Sequence, residues 1–357
     1  MQQRWTIGLM SGTSLDGIDV AMIETDGVTV GARGPRATYA YDPALRDRLR
    51  ACLGGQGPIS AVEAEITDAH AAAVRDLMDC NGITTGQVDM VGFHGHTILH
   101  RPEQRRTWQI GDGRRLSEML NRPVAWDFRS ADVAAGGQGA PFVPLYHQAL
   151  AAGLDRPLAV VNIGGVANVT WIGGDGPDAL AAFDTGPGNA PLDDWLRRHD
   201  AGSFDRDGAV SGAGQVDRGL VARLLDNPFF GRRPPKSLDR DDFRFDAVAE
   251  LSLADGAATL AAFTAASIAR AADHFPVAAR RWLVTGGGRH NPSLMRELAG
   301  CLGVEVAPVE AVGWDGDALE AEAFAFLAQR VRRGLPLSVP ATTGVPTPMA
   351  GGQLHAA

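Results

Sequence analysis

Thr6 to Glu24 reads TIGLMSGTSLDGIDVAMIE, and Leu158 to Gly174 reads LAVVNIGGVANVTWIGG. Each stretch is a short apolar strand, a glycine-rich polar turn and a second apolar strand, the pattern of a β-hairpin. The two hairpins open two parts of the chain of similar size and form a weak internal repeat. Behind each, strand and helix signals alternate, as they do in α/β domains. In the first part, 43–53 and 60–80 have helical spacing, and 88–93 and 123–127 read as buried strands. In the second, the pattern predicts helices over 191–199, 216–227 and 245–275, then a strand at 282–284 running into Gly286-Gly287-Gly288. Asn291 followed by Pro292 starts a helix to 302, and 317–332 reads as a last helix. The tail after Gly334 reads as an ordered loop with a loose terminus.

Composition narrows the function classes. A chain of 357 residues accommodates two domains of ordinary size. Hydrophobic residues at 45% and charged residues at 21% fit a folded globular protein. A net charge of −9 without a basic block argues against nucleic-acid and anionic-membrane partners. Of the 33 Lys and Arg residues only Lys236 is a lysine, and it follows Pro234-Pro235 rather than glycine. P-loop NTPases and protein kinases, which need a lysine in a set context, are excluded. Lys236 itself has two readings: a compact ammonium reaching a ligand or carboxylate from a proline-stiffened loop, or leftover surface charge. Cys52, Cys80 and Cys301 form no Cys-x-x-Cys pair, which argues against a disulfide framework and a thiolate zinc site. Met1 to Gly12 lacks the features of a signal peptide. The most apolar run, 253–272, carries Asp255 and Arg270, so no span of about 18 uncharged apolar residues exists. The expectation is a reduced, cytoplasmic protein.

Several clusters could carry chemistry. Glycine-rich hairpin tips can cradle phosphate on backbone amides. The first tip, Gly12-Thr13-Ser14-Leu15-Asp16-Gly17-Ile18-Asp19, adds two hydroxyls and two carboxylates, one of which could hold Mg2+ through water. An ordinary hairpin turn has the same composition. Asp184 ends an apolar run before Gly186-Pro187-Gly188, where a general base would stand; an Asx-turn is the alternative. In 127–141, Arg129 could take a carboxylate bidentately and Asp132 and Gln138 could bind hydroxyls, unless Gly136-Gly137-Gln138-Gly139 is only a linker. His94, His96 and His100 lack an acidic or thiol partner nearby, so hydrogen bonding to a polar ligand is favoured over zinc. Glu320 shares a helical stripe with Phe324 and Leu327, while Glu322 is assigned to a wetter side. Gly286 to Gly288 either admits an adenine ring or makes a tight turn.

Taken together, GLMSGTSLDGIDVA, GFHGHTILHRP, DFRSADVAAGGQGAPFVP, NIGGVANVT, DTGPGNAPLDDW, TGGGRHNPSLM and ALEAEAFAFLA resemble the anhydro-N-acetylmuramic acid kinase family, in order from Gly8 to about Gly352. The resemblance implies an α/β fold of two ribonuclease-H-like domains, of the sugar kinase and actin type, closing on a central nucleotide cleft. It implies domains at 1–135 and 136–335, with a loop and tail at 336–357. By the same resemblance Gly12 to Asp19 is the first phosphate loop, Asn162, Gly164 and Gly165 belong to the second, and Gly286, Gly287 and Gly288 form the adenosine loop. ATP with Mg2+ near Asp16 is implied, as is Asp184 as the base that activates water against the anomeric carbon. His96, Arg129, Asp132, Gln138 and Glu320 are the implied sugar-binding residues. The reaction implied is hydrolytic opening of the 1,6-anhydro ring with phosphorylation of the 6-oxygen, in peptidoglycan recycling. Two positions depart from the family pattern: Leu238-Asp239 stand where Thr-Gly is usual, and Phe326 replaces a common Trp. A glycoside hydrolase using two carboxylates and no nucleotide, and a non-catalytic ATP-binding module, are the other classes considered. A homodimer stays open, since nothing in the sequence sets the oligomeric state.

Overall fold

The computed structural model describes residues 2–12, 15–238 and 243–356. Its strands, in chain order, are β1 (Arg4–Ser11), β2 (Ile18–Thr25), β3 (Val30–Tyr39), β4 (Met90–Arg101), β5 (Arg106–Ile110), β6 (Val124–Trp126), β7 (Leu158–Ile163), β8 (Val166–Ile172), β9 (Leu180–Pro187), β10 (Arg281–Thr285), β11 (Glu305–Pro308) and β12 (Gln353–His355). Among the described residues they form two sheets. The first has the order β12-β6-β4-β1-β2-β3, with β5 paired to β4, and the second the order β11-β10-β7-β8-β9. In each, a three-stranded antiparallel meander (β1-β2-β3, β7-β8-β9) is extended from its first strand by two parallel strands (β4 and β6, β10 and β11). The hairpin repeat therefore reflects two copies of one ribonuclease-H-like topology.

The chain divides into unit 1, Met1–Ala152 with Ala318–Ala357, and unit 2, Gly153–Asp317. The sequence-based boundaries near 135 and 335 thus shift. The segment 136–152 and the helix Leu319–Arg332 both fold with the first sheet. That helix lies directly on β1 and β4. Gly8 and Gly92 are register partners on these strands. A Cβ at Gly8 would sit 1.8 Å from the Ala321 carbonyl oxygen, and one at Gly92 would sit 2.1 Å from that of Phe324. Only glycine permits this contact. The helix face that meets the strands is built from Ala321, Ala325 and Ala328, all fully buried.

Two further expectations change. The single helix read over 245–275 begins at Leu253, because the Ser252 hydroxyl caps it by accepting the Asp255 N–H at 3.2 Å. A 3-10 turn, Asp246–Val248, precedes it. The terminus is not loose: β12 pairs antiparallel with β6. Strand β3 was not read at all. It is an edge strand carrying Arg33 and Arg36, with most of its residues at least partly exposed, so its apolar alternation is weak. No described helix is long and apolar enough to cross a membrane.

Gly8→Ala is expected to lose about 1–3 kcal/mol of stability through overpacking. Gly86→Ala, which meets nothing within 4 Å, stays within about 0.5 kcal/mol of the parent. Thermal melting of the two variants checks this, and wild-type melting of Gly8→Ala contradicts the packing described.

Candidate active site

In unit 2 the carboxylate of Asp184 stands on β9. Its Oδ2 accepts the Leu238 N–H at 2.8 Å, and its own N–H donates to the Lys236 carbonyl at 3.0 Å. Burial pushes its pKa up to about 7; the Leu238 N–H and the positive charge of Lys236 pull the other way. The outcome is a carboxylate whose proton affinity lies near neutrality. It is not an ordinary Asx-turn.

The second hairpin tip and the glycine loop meet in the same unit. Gly188 and Asn189 donate backbone N–H groups to the Gly165 and Gly164 carbonyls at 2.9 and 2.7 Å, and the Asn189 side chain donates to Ile163 O at 3.0 Å. Gly286 has φ 75°, and a Cβ there would lie 2.2 Å from Asn162 Oδ1, so both conformation and contact demand glycine. Asn162, Gly164, Gly165 and Gly286 to Gly288 thus form one continuous surface at the strand ends. Sequence reasoning missed the residue that braces it. Arg289 is buried and donates to Gly286 O at 3.0 Å, Glu310 at 2.9 Å and Asp317 at 2.7 Å. Its carboxylate partners are 21 and 28 positions away, so no local pattern signals its role.

In unit 1 the first tip is only partly described. Thr13 and Ser14 lie outside the described residues. Leu15 and Ile18 are buried, so only their backbones are available to a ligand; the Leu15 N–H donates to Gly12 O at 3.0 Å. Asp19 accepts the Thr38 hydroxyl at 2.6 Å. Asp16 is exposed beside Gly17. Among the described residues no group of three His, Cys, Asp or Glu side chains could hold a metal ion. A lone exposed carboxylate fits Mg2+ only in the manner usual for this ion, with water and phosphate oxygens completing its shell.

The three histidines have separate partners. His96 is fully buried, and its Nδ1 pairs with Ser11 Oγ at 2.7 Å, which in turn meets Tyr41 OH at 2.5 Å. This contact ties β4 to the end of β1, and it leaves the buried Nε2 of His96 without a hydrogen-bond partner among the described residues. Burial lowers its pKa to about 4, so it is neutral. His94 donates from Nδ1 to Gly95 O at 2.9 Å and accepts the Arg129 Nε–H on Nε2 at 2.9 Å. Burial, then the Arg129 charge, hold its pKa well below the usual value, which keeps that acceptor free. His100 pairs with the Thr107 hydroxyl at 3.0 Å.

Arg129 also donates to Gly139 O at 2.5 Å and lies 5.5 Å from the centre of the Phe142 ring. Burial draws its pKa down to about 10, against the opposing charges of Glu320 and Asp132. Asp132 is corrected as well. It is buried, with Oδ1 accepting the Gly139 N–H at 2.7 Å and Oδ2 taken by the Ser338 and Thr343 hydroxyls. It pins the Gly136–Gly139 loop rather than meeting a ligand, so that loop is no flexible linker. The Gln138 N–H donates to Thr343 O at 2.6 Å, and its side chain is half-buried. Glu320 is half-buried at the start of helix Leu319–Arg332. Glu322 is the buried one: it accepts the Tyr146 hydroxyl at 2.7 Å and lies 3.5 Å from Arg33 Nε. This helix has no wet side over its first turns, because strands cover one face and 144–150 another.

Each ribonuclease-H-like unit thus opens on a hairpin with a glycine-rich tip, and unit 2 adds a glycine loop at its strand ends and a carboxylate with a proton affinity near neutrality. The profile of the family described as Anhydro-N-acetylmuramic acid kinase matches residues 4–357. Proteins named Anhydro-N-acetylmuramic acid kinase from Paramagnetospirillum magneticum and Rhodospirillum rubrum are each 56% identical, covering 98% of this chain and 99% and 93% of their own. A third of that name, from Acidiphilium cryptum, is 56% identical over 98% of this chain and 97% of its own. The chain belongs to the anhydro-N-acetylmuramic acid kinase family, and it is a kinase with an alcohol group as acceptor.

The raised pKa of Asp184 has a stability consequence. Between the unfolded carboxylate value and about 7 the folded chain holds a proton that the unfolded chain has released, so stability falls as pH rises through that window. Asp184→Asn is expected to melt above the parent at about pH 8 and level with it at about pH 4. Equal melting at both pH values would contradict a buried, costly carboxylate.

Proposed function

We propose that the chain takes 1,6-anhydro-N-acetylmuramic acid, water and ATP to N-acetylmuramic acid 6-phosphate and ADP, as a cytoplasmic step of cell-wall recycling. The observation that carries the reading is Asp184, a carboxylate with one oxygen held by a backbone amide and a proton affinity near neutrality. It takes a proton from water, whose oxygen bonds to the anomeric carbon. The bond from that carbon to the 6-oxygen breaks, and its electron pair stays on the 6-oxygen. That oxygen then bonds to the γ-phosphorus, and ADP leaves with the β,γ-bridging oxygen. Ring opening thus generates the nucleophile for phosphoryl transfer, and one base serves both steps.

Phosphoryl transfer needs positioning and charge neutralisation rather than covalent help from the protein, which suits a chain without a phosphate-binding lysine. The 12–19 tip, the tip at Asn162, Gly164 and Gly165, and the loop Gly286-Gly287-Gly288 are the segments that would hold ATP, with adenosine at the last. Mg2+, held through Asp16 and water, would neutralise phosphate charge. Arg129, fixed in direction by His94 and Gly139, would take the substrate carboxylate, with Glu320 and Gln138 on sugar hydroxyls. Asp132 acts one layer back, and His96 would offer its unpartnered Nε2 to the sugar.

Asp184→Asn should abolish ring opening and phosphorylation together, by roughly a thousandfold or more, while ATP affinity is kept. Product mass decides: phosphate plus water gained with the parent and neither with the variant supports the reading, and near-normal turnover by the variant overturns it. Water gained without ATP would make the protein a hydrolase. Arg129→Lys should raise the sugar KM about tenfold or more with little change in that for ATP, because an ammonium cannot form the planar fork. Equal effects on both substrates would assign Arg129 to structure alone.

A further inference from the structure

Lys236 fits neither reading that the sequence left open. It does not project from the surface, and its charge is spent within unit 2. The ammonium Nζ donates to the carbonyls of Phe229 and Phe230 at 3.2 and 3.3 Å. It lies 4.6 Å from the centre of the Phe229 ring and 5.7 Å from that of Phe183, the residue before Asp184. Phe229 and Phe230 are themselves fixed: both are buried, and their rings pack on Phe243 at 6.0 and 5.5 Å. Two residues beyond the lysine, the Leu238 N–H reaches Asp184 Oδ2. The Lys236 carbonyl meanwhile accepts the N–H of Asp184.

We propose that Lys236 is a positioning residue for Asp184: its ammonium, seated on the Phe229 and Phe230 carbonyls, fastens the 236–238 segment so that the Leu238 amide stays on the carboxylate. The inference rests on Asp184 being the base. The segment grips Asp184 at two points, by backbone and by side chain, and the lysine is what ties that segment to the aromatic cluster. Two carbonyls from consecutive residues and two ring faces converge on one small volume. A tetrahedral ammonium fits such a volume, and a flat guanidinium with its donors spread sideways does not. This accounts for a lysine at this position in a chain where every other one of the 33 Lys and Arg residues is arginine.

Among the described residues, the charged and titratable groups around the pair are Arg232 and His274. Arg232, on the same loop, repels the ammonium, and burial lowers the Lys236 pKa to about 8. His274 Nε2 lies 3.5 Å from Nζ and 3.1 Å from Phe230 O. Asp184 feels the lysine charge as a force that keeps its carboxylate ionised. Removing the ammonium takes away that charge and loosens the amide, and both changes make Asp184 hold its proton to higher pH.

The test compares Lys236→Met and Lys236→Arg with the parent and with Asp184→Asn, measuring kcat and KM for both substrates across pH and melting temperature. For Lys236→Met the acid limb of kcat/KM should move upward, giving about a tenfold loss near pH 6.5 and under about threefold near pH 9, with the ATP KM within about twofold. Lys236→Arg keeps the charge but not the seat, so its kcat should fall about fivefold or more with a smaller movement of the limb. A uniform loss across pH in Lys236→Met, or parent-like kinetics in either variant, overturns the proposal. If the methionine variant does not fold, the arginine variant decides by its kcat. Turnover by Asp184→Asn would instead remove the base assignment, a separate failure.

Discussion

The helix Leu319–Arg332 sits so close to β1 and β4 that no side chain separates them, and much of unit 1 depends on that contact. Gly8 and Gly92 lie side by side in register, and both would drive a Cβ into helix backbone. Close approach strips water from the helix on this side, so its residues there are alanines. It also sets where its acidic first turn falls. Glu322 is carried into the interior and must be paired, which Tyr146 and Arg33 do. Glu320, two residues earlier, adds negative charge to the surroundings of Arg129. Residues 318–357 return to the first sheet by this route, and Ser338 and Thr343 then reach Asp132.

The same constraint explains what the sequence made legible. Apolar hairpins with glycine tips stand out because strand period and turn chemistry are local signals, and both hairpins are where they were read. Asp184 was legible as a carboxylate after an apolar run, but β9 continues past it to Pro187, so it lies within the strand rather than at its end. Distant partners were not legible. The roles of Asp132, Arg289 and Glu322 depend on partners such as Thr343, Asp317 and Tyr146, which lie 211, 28 and 176 positions away, and no local pattern reports them. The Ser11 partner of His96 is equally remote, since it comes from β1. Helical periodicity gave Glu322 a wet face that the helix does not have, since it is covered on more than one side.

Unit 2 concentrates its electrostatic strain at one carboxylate. Most acidic groups in the chain are exposed or matched by arginine, as Asp68 is by Arg115. Asp184 is instead pushed toward neutrality by burial and held back from full protonation by the Leu238 amide and the Lys236 ammonium. A carboxylate tuned in this way is sensitive to small displacements of the segment that supplies those contacts. The 229–238 segment, with its paired phenylalanines and stiff Pro234-Pro235, is built to resist them.

The central claim is that water opens the sugar ring and the freed 6-oxygen receives the phosphate. Turnover of the anhydro sugar with ATP and Mg2+ in water enriched in oxygen-18, quenched early and read by fragment mass, tests it most directly. The account predicts one heavy oxygen at the anomeric hydroxyl and a light oxygen bridging the sugar to phosphorus. Heavy oxygen in that bridge, or in free phosphate released without phosphorylated sugar, would contradict it.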